Sequence, residues 1–301
     1  MTQPHAADSG PISLIPQEGG VKTPIQRAPA VVFLLAVHIL PVVAMVRGTR
    51  PADWWTLAVV FPFLALAVGT GLHRYFAHHA FRTSRPFQFL LGLATCTTFS
   101  DPIGFAGKHR IHHRFSDTED DVHTPIDGFW ACWFGSLVDD GLTSAQVRAA
   151  TKDLVKSPEL LWLHRLFMVP GLTVAAGFFW VGGFSRMAVG YLLGVALLLN
   201  LTSSVNYVCH RWGSRRYPTR DASRNNLLIA ILTFGEGWHN NHHYYPGTAR
   251  AGFYWWEWDP NYWLIRLLET VGLVWNVREV PAHVRKGRQS VEGQRPGVAS
   301  P

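Results

Sequence analysis

Four apolar stretches of close to twenty residues decide what this 301-residue chain can become. They run roughly over residues 29–46, 54–72, 166–183 and 187–208. About twenty apolar residues at a helical rise of ~1.5 Å cross the ~30 Å hydrocarbon layer of a bilayer. Backbone in lipid has no water to bond, so such stretches become helices. The expected fold is an all-α integral membrane protein with four transmembrane helices. Short joints at 47–53 and 182–186 would close two tight hairpins. His38 and Pro41 in the first stretch predict a kink there.

The rest of the composition fits that reading. Hydrophobic residues make up 48% of the chain and charged residues only 16%, against about 25% in soluble domains. The net charge is +7, but the arginines are dispersed and flank apolar runs, which argues against nucleic-acid binding. With four crossings, residues 1–28, 73–165 and 209–301 share one side. That side holds Lys22, Arg27, Arg74, Arg82, Arg85, Lys152, Lys156, Arg165, Arg211, Arg215, Arg216 and Arg220 near the stretch ends, whereas the short joints hold Arg47, Arg50 and Arg186. The bias places both termini in the cytoplasm. Residues 1–28 read as a disordered cytosolic leader without a signal peptide, 29–282 as the folded body, and 283–301 as a flexible basic tail. Within the body, 73–165 and 209–282 form a cytosolic cap. The shorter apolar runs 87–106 and 225–234 read as interfacial or core helices, and the aromatic run 253–263 as an interfacial belt. Cys96, Cys132 and Cys209 have no paired spacing and read as buried, reduced thiols.

Eight histidines fall in three short runs: His73-Arg-Tyr-Phe-Ala-His78, His109-Arg-Ile-His112-His113 and His239-Asn-Asn-His242-His243. At this histidine content, chance would supply roughly 0.04 matches to His-x-x-His-His; two are present. Neutral imidazole is the commonest metal ligand, and eight of them exceed what one first-row ion takes, so the runs imply two metals. All three runs lie on the cytoplasmic side. On a helix, residues at i+3 and i+4 flank residue i, so His109, His112 and His113 can converge on one point or straddle two ions, as can His239, His242 and His243. His73 and His78, at i+5, stand about 140° apart on a regular helix. Either the helix ends between them or each serves a different metal. Asn206-Tyr-Val-Cys-His210, at i and i+4 on one face, adds a ninth histidine ligand, with Asn206 positioned to hold a water. Asp117, Asp120, Asp121 and Glu236 lie close to the runs and are expected to accept the second ring N–H of the ligands. His123 could join them. His5, His38, His79, His164 and His283 carry no such pattern.

These residues resemble the integral-membrane fatty acyl desaturases, most closely the acyl-CoA delta-9 (stearoyl-CoA type) branch. The match spans roughly residues 30–280. It is carried by His-Arg-Tyr-Phe-Ala-His, His-Arg-Ile-His-His-Arg-Phe-Ser-Asp-Thr-Glu, Asn206-x-x-x-His210 and Gly-Glu-Gly-Trp-His-Asn-Asn-His-His. The resemblance implies a di-iron centre held by nine histidines, with Asn206 acting through water, in a helical cytosolic cap over four transmembrane helices. It also implies a bent apolar tunnel for the acyl chain, its depth set partly by Phe61 and Ala65 and its bend lined by Thr202 and Ser203. The implied activity is oxygen-dependent insertion of a cis double bond, delta-9 in position, into a long-chain saturated acyl thioester, acyl-CoA favoured. This chain departs from the family pattern at Ser100-Asp101 and Phe105 (Gln-Gly and Trp are frequent there), at Asp121-Val-His123, and at Ser203, where the animal enzymes carry Trp. No dinucleotide fingerprint is present and the tails are too short for a cytochrome b5 module, which predicts a separate electron donor such as a ferredoxin, or cytochrome b5 with a reductase. A basic cytoplasmic face would attract an acidic carrier. The rival readings are a di-iron hydroxylase of lipids or alkanes and, from a different class, a metal-binding membrane transporter, whose ligands belong near the bilayer middle.

Overall fold

A computed structural model describes residues 24–287. Helix α1 (Pro24–Arg47) runs unbroken through Pro29 and Pro41. Helix α2 (Pro51–Leu66) continues as a π-helical segment, Ala67–Ala77. Helices α3 (Arg85–Cys96) and α4 (Pro102–Phe115) follow, so the apolar run 87–106 divides between two helices rather than forming one. Among the described residues, three helical runs are long and apolar enough to cross a membrane: Gln26–Arg47, Pro51–Ala77 and Met168–Val208.

The third run is a pair of helices joined at Gly183, and the Phe178 and Tyr191 rings on either side of the joint lie 6.0 Å apart. It is 41 residues long, which at ~1.5 Å per residue is about twice the hydrocarbon thickness. Gly183 breaks it, with φ 73° and ψ −169°. Only glycine takes that conformation without strain. The break lies where the second short joint was expected. The joints are tied to one another by Asp53, which is fully buried. Its carboxylate accepts the Arg50 backbone N–H at 2.9 Å and Arg186 Nε at 3.0 Å, while the Arg50 guanidinium donates to the Gly182 carbonyl and to Ser185 Oγ. In the sequence these arginines carry only a charge bias; in the fold they pin the two joints together.

Polar groups inside the apolar slab are satisfied in a chain. His38 Nδ1 donates to the Leu34 carbonyl at 2.7 Å, Asn200 Nδ2 donates to His38 Nε2 at 2.8 Å, and Trp133 Nε1 donates to Asn200 Oδ1 at 3.0 Å. An unpaired group here would cost several kcal/mol, on the order of the transfer of an amide to hydrocarbon. One apolar core, with Val37, Leu64, Ala65, Tyr191, Val195 and Leu198, lies between the long helices. A second, with Phe76, Phe81, Cys96, Ile103, Leu163 and Ile265, lies among α3, α4 and the helices Pro158–Arg165 and Pro260–Thr270. Strands β1 (Arg82–Thr83) and β2 (Val274–Trp275) pair antiparallel and fasten the segment after the second span to a late part of the chain.

The ends of the chain differ from expectation where they are described. Residues 24–28 of the expected leader are helical, as the start of α1. Helix Ala282–Lys286 buries Val284 against Tyr217, Phe253 and Val280, so the folded body reaches into the expected tail. Residues 1–23 and 288–301 lie outside the described residues. The three cysteines are free and buried; burial pushes the Cys96 and Cys132 thiols up to about 12, which keeps them protonated. Helix Leu227–Leu232 exposes Leu227, Leu228 and Ile231, and Trp255, Trp256 and Trp263 are exposed as well.

Asp101 ties α4 to helix Pro158–Arg165. It caps α4, accepting the Gly104 N–H at 2.7 Å, and also accepts His164 Nδ1 at 2.7 Å. That hydrogen bond raises the His164 pKa above its ordinary value. A raised imidazole stabilises the fold fully below its unfolded value of about 6.5 and loses that contribution as pH rises through the folded value. A His164→Gln protein is therefore expected to melt below wild type at pH 6 and to converge with it at high pH. A gap that does not change with pH would contradict the pairing.

Candidate metal centre

The first histidine run is shaped by the widened end of the second span. The His78 N–H bonds the His73 carbonyl at 3.2 Å, closing an i→i+5 turn. A regular helix would separate these side chains by about 140°; the wider π turn removes that offset. The His73 and His78 rings lie 5.0 Å apart and enter the same cluster. Neither alternative expected from the spacing occurs: the helix continues to Ala77 and both residues face one site.

The second and third runs each divide between two sites. On α4, capped by Asp101 and begun by Pro102, His109 and His113 face one way and His112 the other. In helix His239–Tyr244, His242 faces the first site while His239 and His243 face the second. Gly237 admits this third helix, since a Cβ there would lie 2.1 Å from the Ala230 nitrogen. The result is one cluster of His73, His78, His109, His113 and His242 and another of His112, His210, His239 and His243. In each, the donor nitrogens lie within 4.8 Å of one another.

The nitrogen spacing matches a metal. Nε2 atoms approach at 2.8 Å for His78 and His109, 2.8 Å for His113 and His242, 3.0 Å for His73 and His242, and 2.9 Å for His210 and His239. Imidazole nitrogens about 2.1 Å from a first-row ion and at right angles around it stand ~3.0 Å apart. The ring tautomers point the same way. His112 Nδ1 donates to Asp121 at 2.8 Å, His210 Nδ1 to Asp117 at 2.9 Å, His243 Nδ1 to Asp221 at 2.8 Å, and His73 Nδ1 pairs with Glu236. With the proton on Nδ1, each Nε2 presents a lone pair inward. Those of His112 and His243 are buried without a hydrogen-bond partner. Converging bare lone pairs repel, and a cation between them resolves the conflict. Burial, then the charge of neighbouring histidines, holds His78, His109, His113, His239, His242 and His243 well below the ordinary imidazole range, in the neutral ligand form.

The carboxylates are built into the backbone. Asp117 sits at φ 61°, a conformation short polar side chains tolerate. It accepts the Ala222 N–H at 2.6 Å, and its own N–H bonds Asp121 at 2.9 Å. Burial opposes ionisation of Asp121, but the hydrogen bond and charge of His112 hold its carboxyl at about 2. Glu236 is likewise opposed by burial and held below the usual range by His73 and Arg74. Asp120 differs from expectation: it faces solvent, with no hydrogen bond to a histidine among the described residues. Asp221 takes the partner role that sequence reasoning missed, from a loop 22 residues before His243. His123 packs against His112 with ring centroids 4.2 Å apart, and burial pushes it down to about 3.

Other residues that fix the site were also missed. Arg74 is buried and donates to Asp259 at 2.7 Å and to Glu236 at 3.1 Å. Asn261 donates to Glu236 at 3.1 Å and accepts from Thr70 at 3.0 Å. Arg216 pairs with Glu257 and donates to Asn241, holding the third run from its other side. Phe105 stacks on the His109 ring at 5.6 Å. Asn206 lies half-buried on helix Leu193–Val208, and His210 follows two residues past the helix end. Ala65 is buried beside Leu64 in the core between the long helices, and the Phe61 ring meets Phe234 edge-on at 6.1 Å. Ser203 is buried and donates to the Trp133 carbonyl at 2.8 Å; Thr202 beside it is half-buried.

Helices long and apolar enough to cross a membrane, with two groups of inward-facing imidazoles gathered from the end of the second run, α4, the segment after Val208 and helix His239–Tyr244, define a protein able to hold metal ions. Comparison with known proteins supplies the family. The fatty acid desaturase family matches residues 52–251, and the chain belongs to that family. It is 34% identical over 262 residues to an icosanoyl-CoA 5-desaturase of Limnanthes douglasii, covering 85% of this chain and 73% of that protein. It is 31% identical over 271 residues to a chloroplastic palmitoyl-monogalactosyldiacylglycerol delta-7 desaturase of Arabidopsis thaliana, covering 87% and 71%. It is 33% identical over 251 residues to an sn-1 stearoyl-lipid 9-desaturase of Anabaena variabilis, covering 82% and 92%. The names of these relatives differ in acyl carrier and in double-bond position, so family membership alone does not select the delta-9 acyl-CoA branch.

Proposed function

We propose that this protein is an oxygen-dependent di-iron desaturase that inserts a cis delta-9 double bond into a long-chain saturated acyl thioester, acyl-CoA favoured. The observation that carries the reading is the pair of histidine clusters with bare, buried Nε2 atoms, in a chain of the fatty acid desaturase family. Nine histidines would hold two iron ions, five in one cluster and four in the other, with Asn206 reaching the second through water. The break at Gly183 supports dividing the third apolar run into two spans, which gives four crossings and leaves the metal site and both termini on the cytoplasmic side.

Removing hydrogen from an unactivated methylene requires an oxidant stronger than any side chain, which iron with O2 supplies when bound. In the balanced reaction the acyl chain loses two hydrogens, O2 becomes two waters, and a separate donor contributes two electrons with two protons from solvent. The protein's own part is placement. Asp117, Asp121, Asp221 and Glu236 keep the imidazole protons on Nδ1, the apolar core between the long helices excludes water, and Phe61, Ala65, Thr202 and Ser203 shape the path of the acyl chain. An Ala65→Phe enzyme is expected to prefer shorter chains, since each clashing methylene is worth roughly ten- to two-hundred-fold in discrimination. An unchanged chain-length profile would remove Ala65 from the tunnel.

A di-iron hydroxylase would share the metals and differ in product. A transporter would place its ligands near the middle of its spans, whereas here the clusters gather at and beyond span ends. The acyl carrier is tested with purified enzyme, O2 and a reduced ferredoxin, offered stearoyl-CoA in one reaction and stearoyl phospholipid in another. Delta-9 product from the CoA ester is expected. Product from the phospholipid alone would overturn the carrier assignment, and a bond at another carbon the regiochemistry.

A further inference from the structure

The two clusters are unequal in what stands behind their imidazoles. In the four-histidine cluster, three of the four rings are backed by carboxylates: His112 by Asp121, His210 by Asp117 and His243 by Asp221. Each carboxylate is itself fixed by backbone donors. Asp117 accepts the Ala222 N–H at 2.6 Å, Asp121 the Asp117 N–H at 2.9 Å, and Asp221 the Ser223 N–H at 3.0 Å. In the five-histidine cluster only His73 has a carboxylate partner among the described residues, Glu236, which is shared with the Arg74 guanidinium and the Asn261 amide. Arg74 also pairs with Asp259, so this group of three keeps one net negative charge.

We propose that the clusters fill in order: the four-histidine cluster takes a divalent cation first, and Asp117, Asp121 and Asp221 set that order. The inference rests on the two-metal reading above. A carboxylate that accepts the Nδ1 proton strengthens Nε2 as a donor and fixes the ring angle, and losing such a partner typically weakens metal binding about ten- to a hundred-fold. The five-histidine cluster has one more nitrogen, but a single carboxylate stands behind its neutral ligands, against three in the other cluster. A dication entering it stays buried with little opposing charge, which is costly. In the four-histidine cluster three carboxylates face the incoming charge, and the unpartnered Nε2 atoms of His112 and His243 both belong to it. Once that cation is bound, its charge disfavours the second, which separates the two events further.

The test is titration of metal-free protein in detergent with Co2+ alone, read by isothermal calorimetry, with native mass spectrometry counting ions per chain. Two events are expected. Asp117→Asn and Asp221→Asn, which keep an acceptor for the ring N–H, should each weaken the tighter event about ten- to a hundred-fold and move the other by no more than a few-fold. Glu236→Gln should weaken only the looser event. Melting curves of the metal-free variants keep a folding defect from being counted as lost affinity, and the two aspartate variants serve as independent checks. Two ions binding with equal affinity, or a tighter event that responds to Glu236→Gln and not to the aspartates, would overturn the order while leaving the two-metal reading intact. Fewer than two ions at saturation would overturn both.

Discussion

A His112→Ala protein is expected to hold one metal fewer per chain than wild type and to lose desaturation by more than about a hundredfold, the upper range for removing a mere partner of a ligand. His112 is 1% exposed, donates through Nδ1 to Asp121, and turns an unpartnered Nε2 into the four-histidine cluster. Its loss removes a quarter of that cluster's imidazoles. The fold should survive. Deleting a buried side chain of this size costs a few kcal/mol, roughly 2–5, and Asp121 keeps the N–H groups of Asp117 and His123. Asp120→Asn is the matching control. Asp120 adjoins Asp121 in sequence but faces solvent, so its variant should keep both metals and full activity. The checks are iron per chain and product formation on the same preparations. Full iron in the His112→Ala protein would remove His112 from the ligand set.

An Arg74→Met protein is expected to be destabilised by about 3–5 kcal/mol, the usual cost of stranding a buried charge. Arg74 is 2% exposed and bridges Asp259 and Glu236. Met fills much of the space but leaves both carboxylates without their cation. Asp259 still accepts the Ala251, Gly252 and Tyr262 N–H groups, which limits the damage on its side. Glu236 keeps Asn261 and His73. Arg74→Lys restores the charge but not the two-pronged geometry, so partial recovery is expected. Denaturation of the three proteins in one detergent measures this, and a loss below about 1 kcal/mol, the level of an exposed pair, would show that the bridge contributes little.

Much of the site is legible in the sequence because its signals are local. Nine histidines at spacings of three, four and five residues, and apolar runs of bilayer length, need no knowledge of the fold. The features that escape are those in which distant segments decide the outcome. Spacing rules assume 3.6 residues per turn, so they assign His73 and His78 to a broken helix or to different metals; the π turn that joins them is a property of the packed span. Nothing near Asp221 in sequence marks it, whereas Asp120 draws attention by lying close to the second run. Arg74, Arg186 and Asp53 read as ordinary charges near span ends, yet Arg74 pairs with Asp259 and Arg186 with Asp53 across the fold. Hydropathy finds the four apolar stretches, and the joint expected between the last two falls at Gly183, whose backbone conformation only glycine takes without strain.

Whether this histidine centre, loaded with iron, desaturates an acyl chain is tested most directly by expression of the full chain in a host that lacks unsaturated fatty acids, with the products' double bonds located by mass spectrometry. Wild type is expected to give cis delta-9 monounsaturated chains and His112→Ala none. Hydroxylated chains in place of alkenes, or saturated chains alone from an iron-loaded protein supplied with an electron donor, would contradict the desaturase assignment.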